Sequence, residues 1–119
     1  MKPTHLKRLK RKIELLAPAK DFAAAVDAID CGADAVYIGA GKFGARHAAT
    51  NSVEDIARVV EYAHRYGVKV YATLNTLLFD DELEEARIQA LALIDAGVDA
   101  LIVQDMAYYM MDLPIPLHA

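Results

Sequence analysis

Two stretches of the 119-residue chain echo each other: AIDCGADAVYIG at Ala28–Gly39 and LIDAGVDALIVQ at Leu93–Gln104. Each closes a helix-like run on Asp and Gly, places another Asp two positions past the Gly, and continues into an apolar run. Glycine suits the end of a helix because the left-handed conformation needed there costs it nothing. A third glycine, Gly67, stands in the same position before KVYATL. The separations Gly32–Gly67 and Gly67–Gly97 are 35 and 30 residues, the length of one strand, one helix and two loops. A helix–glycine–strand unit recurring at that period predicts stacked βα units on a parallel sheet.

Working outward from the glycines, the first strand is expected over Ile13–Ala17, ended by Pro18, which cannot donate to a ladder. The first helix is expected over Phe22–Cys31, capped by Asp21. The second strand is expected over Ala35–Ile38, apolar enough for burial on both faces. Ser52 and Asp55 have capping-box spacing for a helix over Val53–Tyr66, with Val53, Ile56, Val59, Val60 and Ala63 on one face. A third strand is expected over Val68–Leu74. The third helix opens at Asp80, with Asp81, Glu82, Glu84 and Glu85 at its positive end, and with Leu83, Ala86, Ala90, Leu91 and Ile94 facing inward. A fourth strand over Ala100–Val103, a short helix over Met106–Met111 and a fifth strand over Ile115–His118 complete the order. The fold class is α/β: a partial TIM-type (β/α) barrel of about four parallel βα units plus the start of a fifth strand. It divides into a basic arm, residues 1–12, and the N-terminal half of a barrel, residues 13–119.

YIGAGKFGAR at Tyr37–Arg46 holds Gly39, Gly41 and Gly44 in G-x-G-x-x-G spacing. A dinucleotide loop needs a helix that starts inside the motif, and an acid at the end of the following strand. The next helix signal here is Ser52, and the third strand ends in Leu74-Asn75, so the motif fails its context. The loop from Gly39 to Asn51 still spans thirteen residues, against ~2–6 for a common βα connection, and long loops carry function. In a barrel of this kind the loops after the strands build the site. Those positions are polar where the strand bodies are apolar.

Composition fits an ordinary globular chain, with 55% apolar and 25% charged residues. No apolar run approaches the ~20 residues of a membrane-spanning helix, and no apolar block follows the basic N-terminus as in a secretory leader. A cytoplasmic protein is expected. Cys31 is the one cysteine, read as a small buried filler; it permits neither an internal disulfide nor a thiolate cluster. Lys2, Lys7, Arg8, Lys10, Arg11 and Lys12 are six of thirteen basic residues, leaving a balance of −10 over the other 107 residues. The arm is read as a solvated leader, since the body shows no matching basic face; its rival role is contact with nucleic-acid phosphates.

IELLAPAKDF, GADAVYIGAGKFGAR, VYATLNTLL and AGVDALIVQD together resemble the N-terminal half of the collagenase-like peptidase family, over Ile13–Ala119. The resemblance implies two activities: proteolysis with no assigned catalytic type, and hydroxylation of transfer RNA, ribosomal RNA or quinone precursors in several members. It also implies an iron–sulfur cluster in some full-length members, whose cysteines lie outside this chain; no cofactor is expected within it. By position it points to the Pro18 turn, the Gly39–Arg46 loop with Lys42 and Phe43, Asn75, and Gln104-Asp105.

Each candidate has a plain rival. Arg46 suits bidentate binding of a phosphate or carboxylate, or pairing with a nearby acid. Lys42 is a loop cation, a ligand contact or simply solvated. His47 and His118 are candidate general bases, whereas His64 belongs to surface or packing. Asn75 suits a ligand carbonyl or a turn. Gln104 and Asp105 suit a site, or Asp105 a helix cap. Asp34 and Asp99 lie at the opposite end, where features serve stability. Tyr108, Tyr109, Met110 and Met111 suit packing or a covered surface. No Ser-His-Asp order, HExxH helix or paired metal-ligand spacing is present, so no metal site is expected. Three functions follow. The first is a peptidase fragment supplying substrate-binding loops, inactive alone. The second is part of an RNA-hydroxylating protein. The third is a non-catalytic module. Self-association through exposed sheet ends and apolar helix faces is expected, with peptide or RNA as substrate in the first two readings and no membrane partner.

Overall fold

The computed structural model describes residues 14–40, 51–74 and 78–119. The basic arm, Ile13, Lys42, Phe43, Arg46, His47 and Asn75 lie outside the described residues. The elements run in strict alternation: β1 Leu16–Ala19, α1 Phe22–Asp30, β2 Ala35–Gly39, α2 Val53–Arg65, β3 Lys69–Leu74, α3 Leu83–Ala96, β4 Ala100–Val103 and β5 Leu117–His118. Short 3-10 turns occupy Asp80–Glu82 and Met106–Met111. The five strands form one all-parallel sheet in the order β1-β2-β3-β4-β5. The sheet is open, with β1 and β5 at its edges.

Sequential strand order means that each crossover steps the same way. All three helices then fall on one face. That face holds the main core: Ala25 and Ile29 of α1, Ile56, Val59, Val60 and Ala63 of α2, and Ala86, Ala90 and Leu93 of α3. They pack on Val36, Ile38, Val70, Ala72, Leu74, Leu101 and Val103 of the sheet. Burying each branched aliphatic there contributes about 1.5–3 kcal/mol. The opposite face carries the alternate residues. Ala35, Tyr71 and Ala100 are buried there, with Tyr37 and Ile102 packed against them.

The local signals behave as their chemistry demands. Asp21 caps α1, its Oδ1 accepting from Ala24 N at 2.9 Å. The Ser52–Asp55 capping box is complete, with bonds of 3.1 and 3.3 Å. Gly32, Gly67 and Gly97 all have positive φ. Gly97 is the most constrained: at φ +102° a Cβ would stand 3.0 Å from Val60 Cγ1, on the neighbouring helix. Across α1 and α2, the Arg58 guanidinium lies 4.4 Å from the Phe22 ring centroid, and Tyr62 donates to Asp30 at 2.8 Å.

Four expectations need correction. Pro18 lies inside β1, paired in register with Tyr37, because an edge strand has a side on which a missing N–H costs nothing. The 3-10 turn at Asp80–Glu82 precedes α3, where Glu82 Oε1 accepts from Phe79 N at 2.9 Å. On α3, Leu83 is exposed and Leu91 and Ile94 are half-buried, whereas Leu93 is fully buried. The buried stripe is the narrow set Ala86-Ala90-Leu93. Cys31 is exposed at the C-terminal cap of α1, so it fills no core. Among the described residues no helix is long and apolar enough to cross a membrane.

Candidate functional site

Parallel strands end together, so the polar residues after β1 to β4 share one rim. Adjacent rim loops are tied in pairs by side chains. Asn51, only 8% exposed, donates from Nδ2 to Lys20 O at 3.0 Å and to Gly39 O at 3.1 Å. Its backbone N also donates to Gly39 O at 3.3 Å, and Ala40 and Asn51 form a parallel bridge. One amide therefore clamps the base of the long loop and fastens it to the loop after β1.

Asp105 does the same for the next pair. Oδ1 accepts from Ala107 N at 2.8 Å, capping the 3-10 turn, and Oδ2 accepts from Leu78 N at 2.7 Å in the loop after β3. These backbone donors, Ala107 first and Leu78 second, hold its carboxyl below the ordinary value, with burial opposing them. Charge-assisted donors favour the ionised form. Both oxygens of Asp105 are thus engaged in holding loops. Its neighbour Gln104 is exposed.

The open sheet face meets the rim at His118. The register pairs Ile102 with His118, which puts the imidazole on the face opposite the helices. There it stacks on Tyr71, with ring centroids 5.5 Å apart and planes at 25°. Tyr71 is paired with Ala100, whose methyl leaves room above β4. The Tyr71 hydroxyl donates to the Glu14 carboxylate, 2.9 Å from both Oε1 and Oε2. Burial, then the Glu14 carboxylate, push the Tyr71 hydroxyl up to about 12. Pro18 and Tyr37 pair on the same face, and Gly39 pairs with Thr73.

Beside the rim, Tyr108 is fully buried and its hydroxyl has no hydrogen-bond partner among the described residues. Burial pushes it to about 12, with Asp105 and Glu82 adding to the shift. Charge along the rim is uneven. Asp80, Asp81, Glu82, Glu84 and Glu85 crowd the end after β3, whereas Lys20 lies beside the long loop that carries Lys42 and Arg46.

Of the sequence candidates, Pro18, Gly39, Gln104, Asp105 and His118 fall along this rim and the face below it. Asn51, Tyr71 and Glu14 escaped notice. Asn51 sits next to the Ser52 cap and reads as part of it. Tyr71 was legible as the aromatic with opposite parity to Val70 and Ala72, but its partner Glu14 is 57 residues away. At the other end, His64 Nε2 lies 2.9 Å from Asp99 Oδ2, and Val70 N donates to the same oxygen at 2.8 Å, as suits a stabilising end. Among the described residues no group of three or more His, Cys, Asp or Glu is arranged to hold a metal ion. An iron–sulfur cluster takes several thiolates; the single Cys31 lies at the end away from the rim, so this chain's own residues do not fit one.

Residues 20–119 match peptidase family U32, and the chain belongs to that family. It is 59% identical over 109 residues to the 23S rRNA 5-hydroxycytidine C2501 synthase of Escherichia coli, covering 91% of this chain and 17% of that protein. It is 41% identical over 96 residues to tRNA hydroxylation protein P1 of Bacillus subtilis, covering 80% of this chain and 23% of that protein. It is 32% identical over 99 residues to a collagenase of Porphyromonas gingivalis, covering 82% of this chain and 24% of that protein. The chain thus spans about a quarter or less of these relatives.

Proposed function

We propose that this member of peptidase family U32 forms the opening units of a (β/α) barrel that hydroxylates a base in structured RNA. The observation that carries the reading is the 59% identity to a 5-hydroxycytidine synthase of ribosomal RNA. Two features of the chain support it. Among the described residues the sheet is singly wound, with the three helices on one face, which is how a barrel begins; closure takes eight strands, and five are described. Further strands of a longer protein would close over Tyr37, Tyr71 and Ile102. The sequence of the long loop carries the cations Lys42 and Arg46, and Lys20 follows the neighbouring strand β1; such cations suit contact with phosphates. The basic arm adds to that contact.

On this reading the chain supplies substrate-binding loops. Asn51 and Asp105 hold those loops in register, and the groups that carry out the oxidation belong to the rest of the protein. A second reading, proteolysis by the same barrel, is favoured by the 32% identity to a collagenase.

The test is to express the full-length protein containing this chain in a host lacking the 5-hydroxycytidine synthase, and to measure hydroxylated cytidine in its 23S rRNA by nucleoside mass spectrometry. Restored modification, reduced by Arg46→Ala, is expected. Cleavage of denatured collagen with no restored nucleoside favours proteolysis and overturns the RNA reading.

A further inference from the structure

The backbone around Lys20 is pinned at three successive residues. Ala19 is paired in register with Ile38 of β2. The Lys20 carbonyl accepts from Asn51 Nδ2 at 3.0 Å. Asp21 caps α1, its Oδ1 accepting from Ala24 N at 2.9 Å and its carbonyl from Ala25 N at 3.0 Å. Asn51 is itself fixed. Nδ2 also donates to Gly39 O at 3.1 Å, the backbone N donates to the same carbonyl at 3.3 Å, and Ala40 and Asn51 form a parallel bridge. Every one of these bonds joins residues between 19 and 51, so strands added at either edge of the sheet leave them in place.

The pattern asks for asparagine in particular. Two carbonyls on two different connections each need a donor; a serine supplies one hydrogen and a carboxylate none. What the second donor gains is a fixed seat for Lys20. A lysine is a point charge on a flexible stem, and its backbone decides where that charge can reach. Holding a binding group in place beforehand lowers the cost of association. The carboxylate of neighbouring Asp21 is turned to the cap of α1. Contacts from cations to phosphates fix an RNA's position and set the salt dependence of its binding. We infer that Asn51 is a positioning residue for RNA: it seats Lys20 against the base of the connection after β2, so that the Lys20 ammonium meets a backbone phosphate of the substrate. The inference rests on the RNA reading above and names the residue that fixes one of its phosphate contacts.

The test measures binding of the full-length protein to an unmodified 23S rRNA transcript over a range of potassium chloride concentrations. Wild-type affinity is expected to fall as salt rises. Lys20→Ala is expected to weaken binding several-fold and to lower the slope of log affinity against log salt by about 1. Asn51→Ala is expected to lower the slope equally, and the double variant to lose nothing more, because two residues that serve one contact are not additive. Ser52→Ala removes the adjoining cap of α2 and is the control for destabilisation alone; its slope is expected to match wild type. An unchanged slope in Lys20→Ala, which keeps the carbonyl that Asn51 holds, overturns the inference. So does an unchanged slope in Asn51→Ala, an additive loss in the double variant, or an equal loss in Ser52→Ala. Each of these, with wild-type binding intact, leaves the RNA reading standing. No binding by wild type overturns both together.

Discussion

Asp99 and Val70 exchange two hydrogen bonds at the N-terminal end of the sheet. Val70 N donates to Asp99 Oδ2 and Asp99 N donates to Val70 O, each at 2.8 Å. Asp34 and Leu15 repeat the arrangement, both bonds at 2.9 Å. The repeated Gly-x-Asp of the two junctions is therefore a device that stitches each strand to the one before it.

The two stitches differ in burial, and that sets their worth. Val70 is fully buried while Leu15 is exposed. Asp99→Ala leaves a buried N–H unsatisfied and is expected to cost about 1–3 kcal/mol. Asp34→Ala lets water reach Leu15 N and is expected to cost about 1 kcal/mol or less. Urea denaturation of both variants checks the order; equal losses contradict the burial argument.

Asn51 directs two amide hydrogens at two carbonyls from a nearly closed site. Asn51→Asp keeps the shape but turns a carboxylate toward Lys20 O and Gly39 O. It is expected to destabilise by about 2–3 kcal/mol, more than Asn51→Ala, because like-signed oxygens then face each other in a site with little water. Thermal melts of the pair decide this, the prediction failing if alanine is the worse replacement.

For Asp105 the pH dependence has a definite sign. The folded protein holds its carboxyl below the ordinary 3.8. The native state therefore binds fewer protons than the unfolded chain, and the stabilisation is complete above 3.8 and lost as pH falls through the lower folded value. Asp105→Asn is expected to be less stable than wild type at neutral pH, with the gap narrowing below 3.8. A gap that stays constant down to pH 2 refutes it.

Tyr108→Phe removes a buried hydroxyl that has no partner among the described residues. The change is expected to be neutral or stabilising by up to about 1 kcal/mol, since no bond is lost and a desolvated polar group is relieved. A loss of stability in chemical denaturation reveals an acceptor for that hydroxyl.

Gly97→Ala places a methyl at φ +102° and 3.0 Å from Val60 Cγ1. Backbone strain and the contact with α2 together are expected to cost about 1–3 kcal/mol. A midpoint within experimental error of wild type contradicts the tight approach of α2 to that turn.

The amino-acid sequence alone determined the order of elements, because each signal acts within a few residues of itself. Gly32 and Gly97 end helices, Asp21 and Ser52 begin them, and the short apolar run Ala100–Val103, set between Gly97 and a polar pair, has the length of a buried strand. Those local rules also located the rim, since strands of one direction end together. Register and depth were decided by tertiary structure. Nothing near Tyr71 announces Glu14 or His118, because β1, β3 and β5 meet it only after the sheet has assembled. Leu93 is fully buried while Leu91 and Ile94 stay half-buried, a choice between neighbouring helix faces that only packing makes. Pro18 entered a strand because that strand became an edge. These outcomes depend on which surfaces the packed sheet and helices leave to solvent, a property of the assembled chain that no short window of residues contains.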